Sequence, residues 1–172
     1  MNFVFKDFAF SVERDPSVFC TTMPSDELFM EEALREAARA QASGEVPIGA
    51  VVVRDGRVIG RGWNRPAFEC DPTAHAEIVA LREAGRELGN YRLSDCDLYV
   101  TLEPCAMCAG AITHARIRRL IYAADDPKSG AIQSAIHVLN HPALNHRVEV
   151  TTGVLAGRAM EMLQAFFRDR RK

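Results

Sequence analysis

A chain of 172 residues with 48% hydrophobic and 26% charged residues is long enough to bury its own core, and its even mixture excludes disordered and membrane-embedded classes. The formal net charge of -2 excludes a global attraction to polyanions, so any contact with nucleic acid has to come from a local basic surface. Five cysteines, an odd number in a chain of this size, point away from a disulfide framework and toward metal or redox use in a reducing cytoplasm.

Residues 1–22 show no clean period, and Lys6, Asp7, Glu13, Arg14 and Asp15 interrupt the stretch before a signal-like apolar run forms, so neither an export signal nor a membrane span is expected. Met23 can serve as an alternative start, and residues 1–24 are expected to be an extension of unknown role ahead of a single domain at 25–172. Pro24-Ser25-Asp26-Glu27 then reads as a helix start, with a capping serine and two acids. The spacing of Leu28, Met30, Leu34, Ala37 and Ala38 predicts a helix from Asp26 to about Ala42, ended by Ser43-Gly44.

Ile48 to Val53 and Val58 to Trp63 are short apolar runs joined through Asp55-Gly56, a hairpin signal. Helices are expected over Ala74–Leu88 and Ala106–His114, and strands over Leu98–Leu102 and Ile117–Ala123. Residues 125–146, punctuated by Pro127, Gly130 and Pro142, are expected to form a long loop with one short helical piece. A last strand at Val148–Thr151 and a closing helix at Ala156–Arg170 complete the chain. Alternating strands and helices predict an α/β sheet with parallel crossovers and helices on both faces, made mixed by the hairpin.

Two fragments carry chemistry: Thr73-Ala74-His75-Ala76-Glu77 and Glu103-Pro104-Cys105-Ala106-Met107-Cys108. Each opens a predicted helix. Cysteines three apart in a first helical turn share a face, and the helix N-terminus favours the thiolate that zinc needs. Residues two apart on a regular helix point almost oppositely, so His75 and Glu77 reach one site only if His75 sits at an irregular helix entrance. One imidazole and two thiolates would leave a fourth tetrahedral position for water, which is the arrangement of a catalytic zinc site. Glu77 would then move protons without binding metal. Ligand chemistry leaves two other readings open: Cys105 and Cys108 as a redox pair, or a closed structural site with Cys70 or Cys96 as fourth ligand.

The His75-Ala76-Glu77 and Pro104-Cys105-Ala106-Met107-Cys108 motifs resemble those of the zinc nucleoside and nucleobase deaminases. Further stretches, at Glu45–Val51, Gly62–Arg65, Asn90–Leu93, Asn145–Arg147 and Phe166-Phe167, are similar to the bacterial tRNA-specific adenosine deaminases, and the likeness runs from about Leu28 to Arg171. The resemblance implies a three-layer cytidine-deaminase-like fold with a mixed five-stranded sheet, a zinc deaminase domain at 25–172, one Zn²⁺ per subunit held by His75, Cys105 and Cys108, and Cys70 outside the metal shell. It implies a cytoplasmic homodimer that hydrolyses the wobble adenosine of an arginine tRNA anticodon to inosine, with Glu77 as the proton shuttle.

Carried over by position, Asn64 would hydrogen-bond the flipped nucleoside, Ala74 and Pro104 would line the base pocket, and Asp125, Asp126 and Asn145 would contact nucleotides of the anticodon stem-loop. The sequence departs from the family pattern at Ala131–Ile136, commonly richer in small residues, and before Met23. A splayed RNA loop also calls for basic and aromatic side chains, which Phe166, Phe167, Arg168, Arg170 and Arg171 offer. Two rival functions remain at this level: a deaminase of free cytosine, guanine or adenine bases or nucleosides, and a structural zinc module that binds RNA without altering it.

Overall fold

Asp55 and Gly56 both take positive φ, 50° and 73°, and so close a two-residue turn whose twist matches that of paired strands. In the computed structural model, which describes residues 25–170, this turn joins β1 (Gly49–Arg54) to β2 (Arg57–Trp63) as an antiparallel pair with a bulge between Val52 and Val53. Residues 1–24 and the final two, Arg171 among them, lie outside the described residues.

The remaining elements follow as α1 (Asp26–Ala42), α2 (Pro66–Glu69), α3 (Ala76–Leu88), β3 (Asp97–Leu102), α4 (Ala106–Ala115), β4 (Arg119–Ala124), β5 (Glu149–Thr152) and α5 (Ala156–Asp169). The five strands form one sheet in the order β2-β1-β3-β4-β5. β1 runs antiparallel to both of its neighbours, whereas β3, β4 and β5 are parallel. This is the mixed five-stranded sheet expected from the sequence.

Alternate strand residues divide between two cores, which makes the molecule three layers deep. Ala50, Val52, Leu98, Val100, Leu120 and Tyr122 pack against Ala76, Ala80 and Ala84 of α3 and Ala109 and Ile112 of α4. On the other face Val51, Val53, Tyr99, Ile121 and Ala123 meet Met30, Ala33 and Leu34 of α1 and Ala159 of α5. Two glycines of β2 set the depth of α3: a Cβ on Gly60 would strike the backbone at Ala80 and Ala84, and one on Gly62 the backbone at Ala76 and Ala80. The helix that carries Glu77 therefore lies directly on the sheet backbone.

An ion network ties α1 to the sheet. Asp26, first residue of α1, accepts a hydrogen bond from the Tyr99 hydroxyl at 2.7 Å and pairs with Arg119 at 2.9 Å. Asp97 in turn holds Arg118 at 2.9 Å and Arg119 at 3.3 Å.

Three local expectations change. β4 begins at Arg119 rather than Ile117, because Arg116 adopts a left-handed φ of 61° and the Ile117 N–H bonds back to the Ile112 carbonyl at 3.3 Å. Those residues finish a helix before any strand can start. The short helical piece expected within 125–146 is replaced by successive turns, since the N–H groups of Ile132, Gln133 and Ser134 point to the Glu103 carboxylate and not to a helical acceptor. Finally, α2 fills the connection after β2, started by Pro66 and stopped by Cys70 in the left-handed region at φ 51°. Among the described residues no helix is long and apolar enough to cross a membrane.

Candidate active site

His75 is the N-cap of α3, with extended dihedrals of φ -71° and ψ 152°, while Glu77 lies one step inside the helix. The change of backbone conformation between them turns both side chains to one site, as their spacing required. Cys105 stands in the equivalent place on α4, extended at φ -73° and ψ 174°, and Cys108 follows in the first turn. Two helix entrances thus face each other beside the C-terminal end of β3.

The donor atoms of His75, Cys105 and Cys108 all lie within 4.8 Å of one another. His75 Nδ1 is 3.7 Å from Sγ of Cys105 and 3.7 Å from Sγ of Cys108. A tetrahedral zinc with Zn–S of about 2.3 Å and Zn–N of about 2.05 Å has N···S edges of about 3.6 Å, so the triangle fits one such metal. Cys70 is exposed at the end of α2, its Sγ 3.8 Å from the Ala67 carbonyl, and Cys96 is buried at the start of β3. Among the described residues, His75, Cys105 and Cys108 form the one group of three donors able to hold a metal.

The electrostatics suit a cation. The hydrogen bond from Cys108, together with that from His75, holds the Cys105 thiol down to about 3 against the effect of burial. Its bond to Cys105, followed by burial, pushes Cys108 up. A metal would bind both cysteines as thiolates, so its binding would release their protons. The bond to Cys105 raises the His75 value, against the effect of burial. Glu77 is 4% exposed, and burial raises its carboxyl above the usual range despite its hydrogen bond to Cys108. A buried carboxyl held above its ordinary range is the kind of group that can carry protons in a site of this sort.

Asn64 is buried just after β2, where its N–H bonds to the Ile48 carbonyl at 2.9 Å. Ala74 and Pro104 are buried immediately beside the ligands, and their carbonyls accept N–H groups from Arg65 at 3.0 Å and Ala131 at 2.8 Å. Asp126 caps its own turn, accepting from Lys128 N–H at 3.0 Å and Ser129 N–H at 3.2 Å, while Asp125 is exposed. Asn145 is exposed at the far end of the same long connection, held through its carbonyl by Arg116 at 3.3 Å.

The C-terminal residues divide in their roles. Phe166 is 6% exposed, and the Arg170 guanidinium lies 4.5 Å over its ring and bonds to the Gly44 carbonyl. Phe167 packs edge-on to Phe166 at 5.4 Å yet remains 46% exposed, and Arg168 is exposed beside it.

Sequence reasoning quoted Glu103 within a motif and gave it no role. It is 3% exposed, and although burial alone would raise its pKa, N–H groups of Gln133, Asp126 and Ser134 and the Ser134 hydroxyl hold it down to about 2. Its partners are backbone groups far along the chain, which no residue pattern announces.

Residues 24–171 match the MafB19-like deaminase family. The chain is 53% identical over 148 residues to a tRNA-specific adenosine deaminase of Haemophilus influenzae, covering 86% of each chain. It is similar, at 52% identity and a TM-score of 0.77, to a solved structure from work on A-to-I editing by tRNA deaminases at the wobble position of transfer RNA, across 79% of this chain and 99% of that one. A guanine deaminase from Nitrosomonas europaea superposes with a TM-score of 0.72 at 29% identity, across 83% of this chain and 84% of that one.

Proposed function

Since the chain belongs to the MafB19-like deaminases, and among them to the tRNA-specific adenosine deaminases, we propose that it hydrolyses adenosine to inosine at the wobble position of a tRNA anticodon. An arginine tRNA is the substrate that the sequence resemblance implies. The observation that carries the reading is a three-donor clamp of His75, Cys105 and Cys108 with the buried carboxyl of Glu77 against it. The metal assigned to that clamp is zinc, one per subunit, on the strength of one imidazole and two thiolates in tetrahedral spacing. Zinc, when bound, supplies Lewis-acid activation of a water molecule.

Glu77 does the proton work. It takes a proton from the attacking water and passes it to N1 of adenine while the water oxygen bonds to C6. Glu77 then takes the remaining proton from the new C6 hydroxyl and gives it to the amino nitrogen, so that the C6–N6 bond breaks as the C6 carbonyl forms and adenosine and water give inosine and ammonia. Asn64 fixes the flipped nucleoside by hydrogen bonding, and the buried turns at Ala74 and Pro104 wall the base.

Asp125, Asp126 and Asn145 on the long connection after β4, with Phe167 and Arg168 at the exposed end of α5, are assigned to flanking nucleotides of the anticodon stem-loop. Their support is chemical: an RNA loop is read by stacking and by contacts to unstacked bases and phosphates. Phe166 and Arg170 serve the fold in this scheme, one buried and the other bonded to Gly44.

The working unit is a homodimer formed through α4. That helix is apolar nearly all round, leaves Met107 37% exposed, and borders an open groove of about 560 Å³ lined by Leu81, Tyr91, Leu93 and Ala111. A thiolate-bearing centre acting on tRNA belongs in the cytoplasm. Residues 25–172 form the catalytic domain, and 1–24 carry no assigned role.

The deciding experiment is incubation with a total tRNA pool, read by sequencing for inosine. Inosine at the wobble position of an arginine tRNA is the expected result. An unaltered pool, with deamination of free guanine, cytosine or adenosine instead, would replace this reading by that of a small-substrate deaminase.

A further inference from the structure

Glu103 sits between the end of β3 and the three-donor clamp, one residue before Pro104 and two before Cys105, and its carboxylate bonds into the 126–134 segment. Its Oε1 accepts three consecutive N–H groups, from Ile132 at 3.0 Å, Gln133 at 2.7 Å and Ser134 at 3.0 Å. Its Oε2 accepts the Asp126 N–H at 3.0 Å and the Ser134 hydroxyl. That segment contains no helix and no ladder beyond one isolated bridge, so the N–H groups of Asp126, Ile132, Gln133 and Ser134 are satisfied by this carboxylate where regular structure would otherwise satisfy them.

The fit is tight from the other side as well. A Cβ on Gly130 would collide with the Glu103 carboxyl, and Gly130 forms its bridge with Cys105 itself. Ala131 N–H bonds to the Pro104 carbonyl at 2.8 Å, and Glu103 N–H to the Ala124 carbonyl at 2.8 Å. Contacts from both ends of the loop therefore converge on residues 103–105. The Glu103 carboxylate supplies most of the hydrogen bonds between the 126–134 loop and the entrance of α4, beside the Ala131–Pro104 bond and the Gly130–Cys105 bridge.

We propose that Glu103 is a positioning residue that holds the 126–134 loop, with Asp126 at its start, against the metal clamp in the conformation that RNA meets. The proposal rests on the tRNA reading above. Its physical content is preorganisation: a loop ordered before binding loses no conformational freedom on binding, so releasing it weakens RNA affinity and leaves the chemical step, performed by Glu77, nearly untouched.

Glu103→Gln tests this, because the amide turns one acceptor oxygen into a donor that faces N–H groups. Gly130→Ala attacks the same contact from the loop. The readouts are zinc per chain, steady-state kinetics on an anticodon stem-loop, and amide hydrogen exchange across residues 130–136. Both variants should keep the zinc content of the unmodified protein, exchange the amides of residues 132–134 about tenfold faster or more, and raise KM for the stem-loop about tenfold with kcat within about threefold.

Glu103→Asp, which keeps the charge one methylene short, and Ser134→Ala should give smaller effects of the same kind, and they serve if the stronger variants do not fold. Unchanged KM despite faster exchange overturns the proposal. Parallel loss of zinc, kcat and KM also overturns it, since Glu103 would then support the clamp alone. A stem-loop on which the unmodified protein is inert sinks the tRNA reading instead, and unchanged exchange in Glu103→Gln overturns the loop assignment on its own.

Discussion

The buried carboxyl of Glu77 on α3 lies against the thiol of Cys108 on α4, so the residue proposed to carry protons meets a proposed metal ligand across two helix entrances. Glu77 is not one of the three donors able to hold a metal, and in the proposed mechanism it acts on the water that such a metal would activate. Its replacement therefore separates chemistry from metal binding. Glu77→Gln is expected to retain zinc at the level of the unmodified protein and to lose roughly 10²- to 10⁴-fold in kcat, the usual weight of a general acid–base. Metal analysis beside an inosine assay checks both halves, and full activity in this variant would remove Glu77 from the mechanism.

Cys105→Ser removes a thiolate from the clamp, and the remaining pair cannot complete a tetrahedral site with soft ligands. Zinc should fall well below one per chain, and melting temperature should fall with it because metal binding contributes to folding free energy. Cys70→Ser, at the exposed end of α2, should leave zinc content unchanged. Retained stoichiometric zinc in Cys105→Ser, or its loss in Cys70→Ser, would refute the ligand assignment.

Gly62→Ala drives a methyl group into the backbone of α3 at Ala76 and Ala80, where no side chain can rotate away. The variant should be destabilised by about 3 kcal/mol, the upper end for overpacking, as measured by denaturant midpoint. Because Ala76 lies between His75 and Glu77, activity should drop further than the folded fraction does. Equal losses of both would show that α3 moves without disturbing the site.

The pH dependence of stability tests the Asp26 network. Burial alone would raise its pKa, but hydrogen bonds from Tyr99 and Arg119 bring it below the ordinary 3.8. A carboxyl depressed on folding contributes stability that is complete above the unfolded value and is lost as pH falls through the folded one. Asp26→Asn should therefore cost roughly 1 kcal/mol at pH 7, the scale of a partly exposed charged hydrogen bond. The gap should narrow in thermal melts as pH falls below about 4. A constant difference across that range would show that Asp26 acts through packing and not through charge.

Much of the molecule was legible before any coordinates. Asp55-Gly56 announced its hairpin because the two φ values it must adopt suit few other residue pairs. The Cys105 and Cys108 spacing, with a histidine at a helix entrance, announced three donors close enough to hold a metal, because cysteines three apart in a first helical turn share a face. The start of β4 and the turns of 125–146 were not legible. Their conformation depends on which carbonyl or carboxylate a backbone N–H meets, as at Ile117 and at Ile132 to Ser134, and backbone groups are alike in every residue but proline.

By itself the sequence determined the mixed α/β alternation and proposed His75, Cys105 and Cys108 as donors with Glu77 beside them, because periodicity and ligand chemistry are local properties of the chain. Only the tertiary structure decided that Cys70 stands outside the cluster, that Glu77 is buried against Cys108, and that Glu103 secures the loop beside Cys105. Each of those facts is a distance or a desolvation between segments remote in the chain, and such quantities exist only once the two helix entrances have been brought together on the sheet.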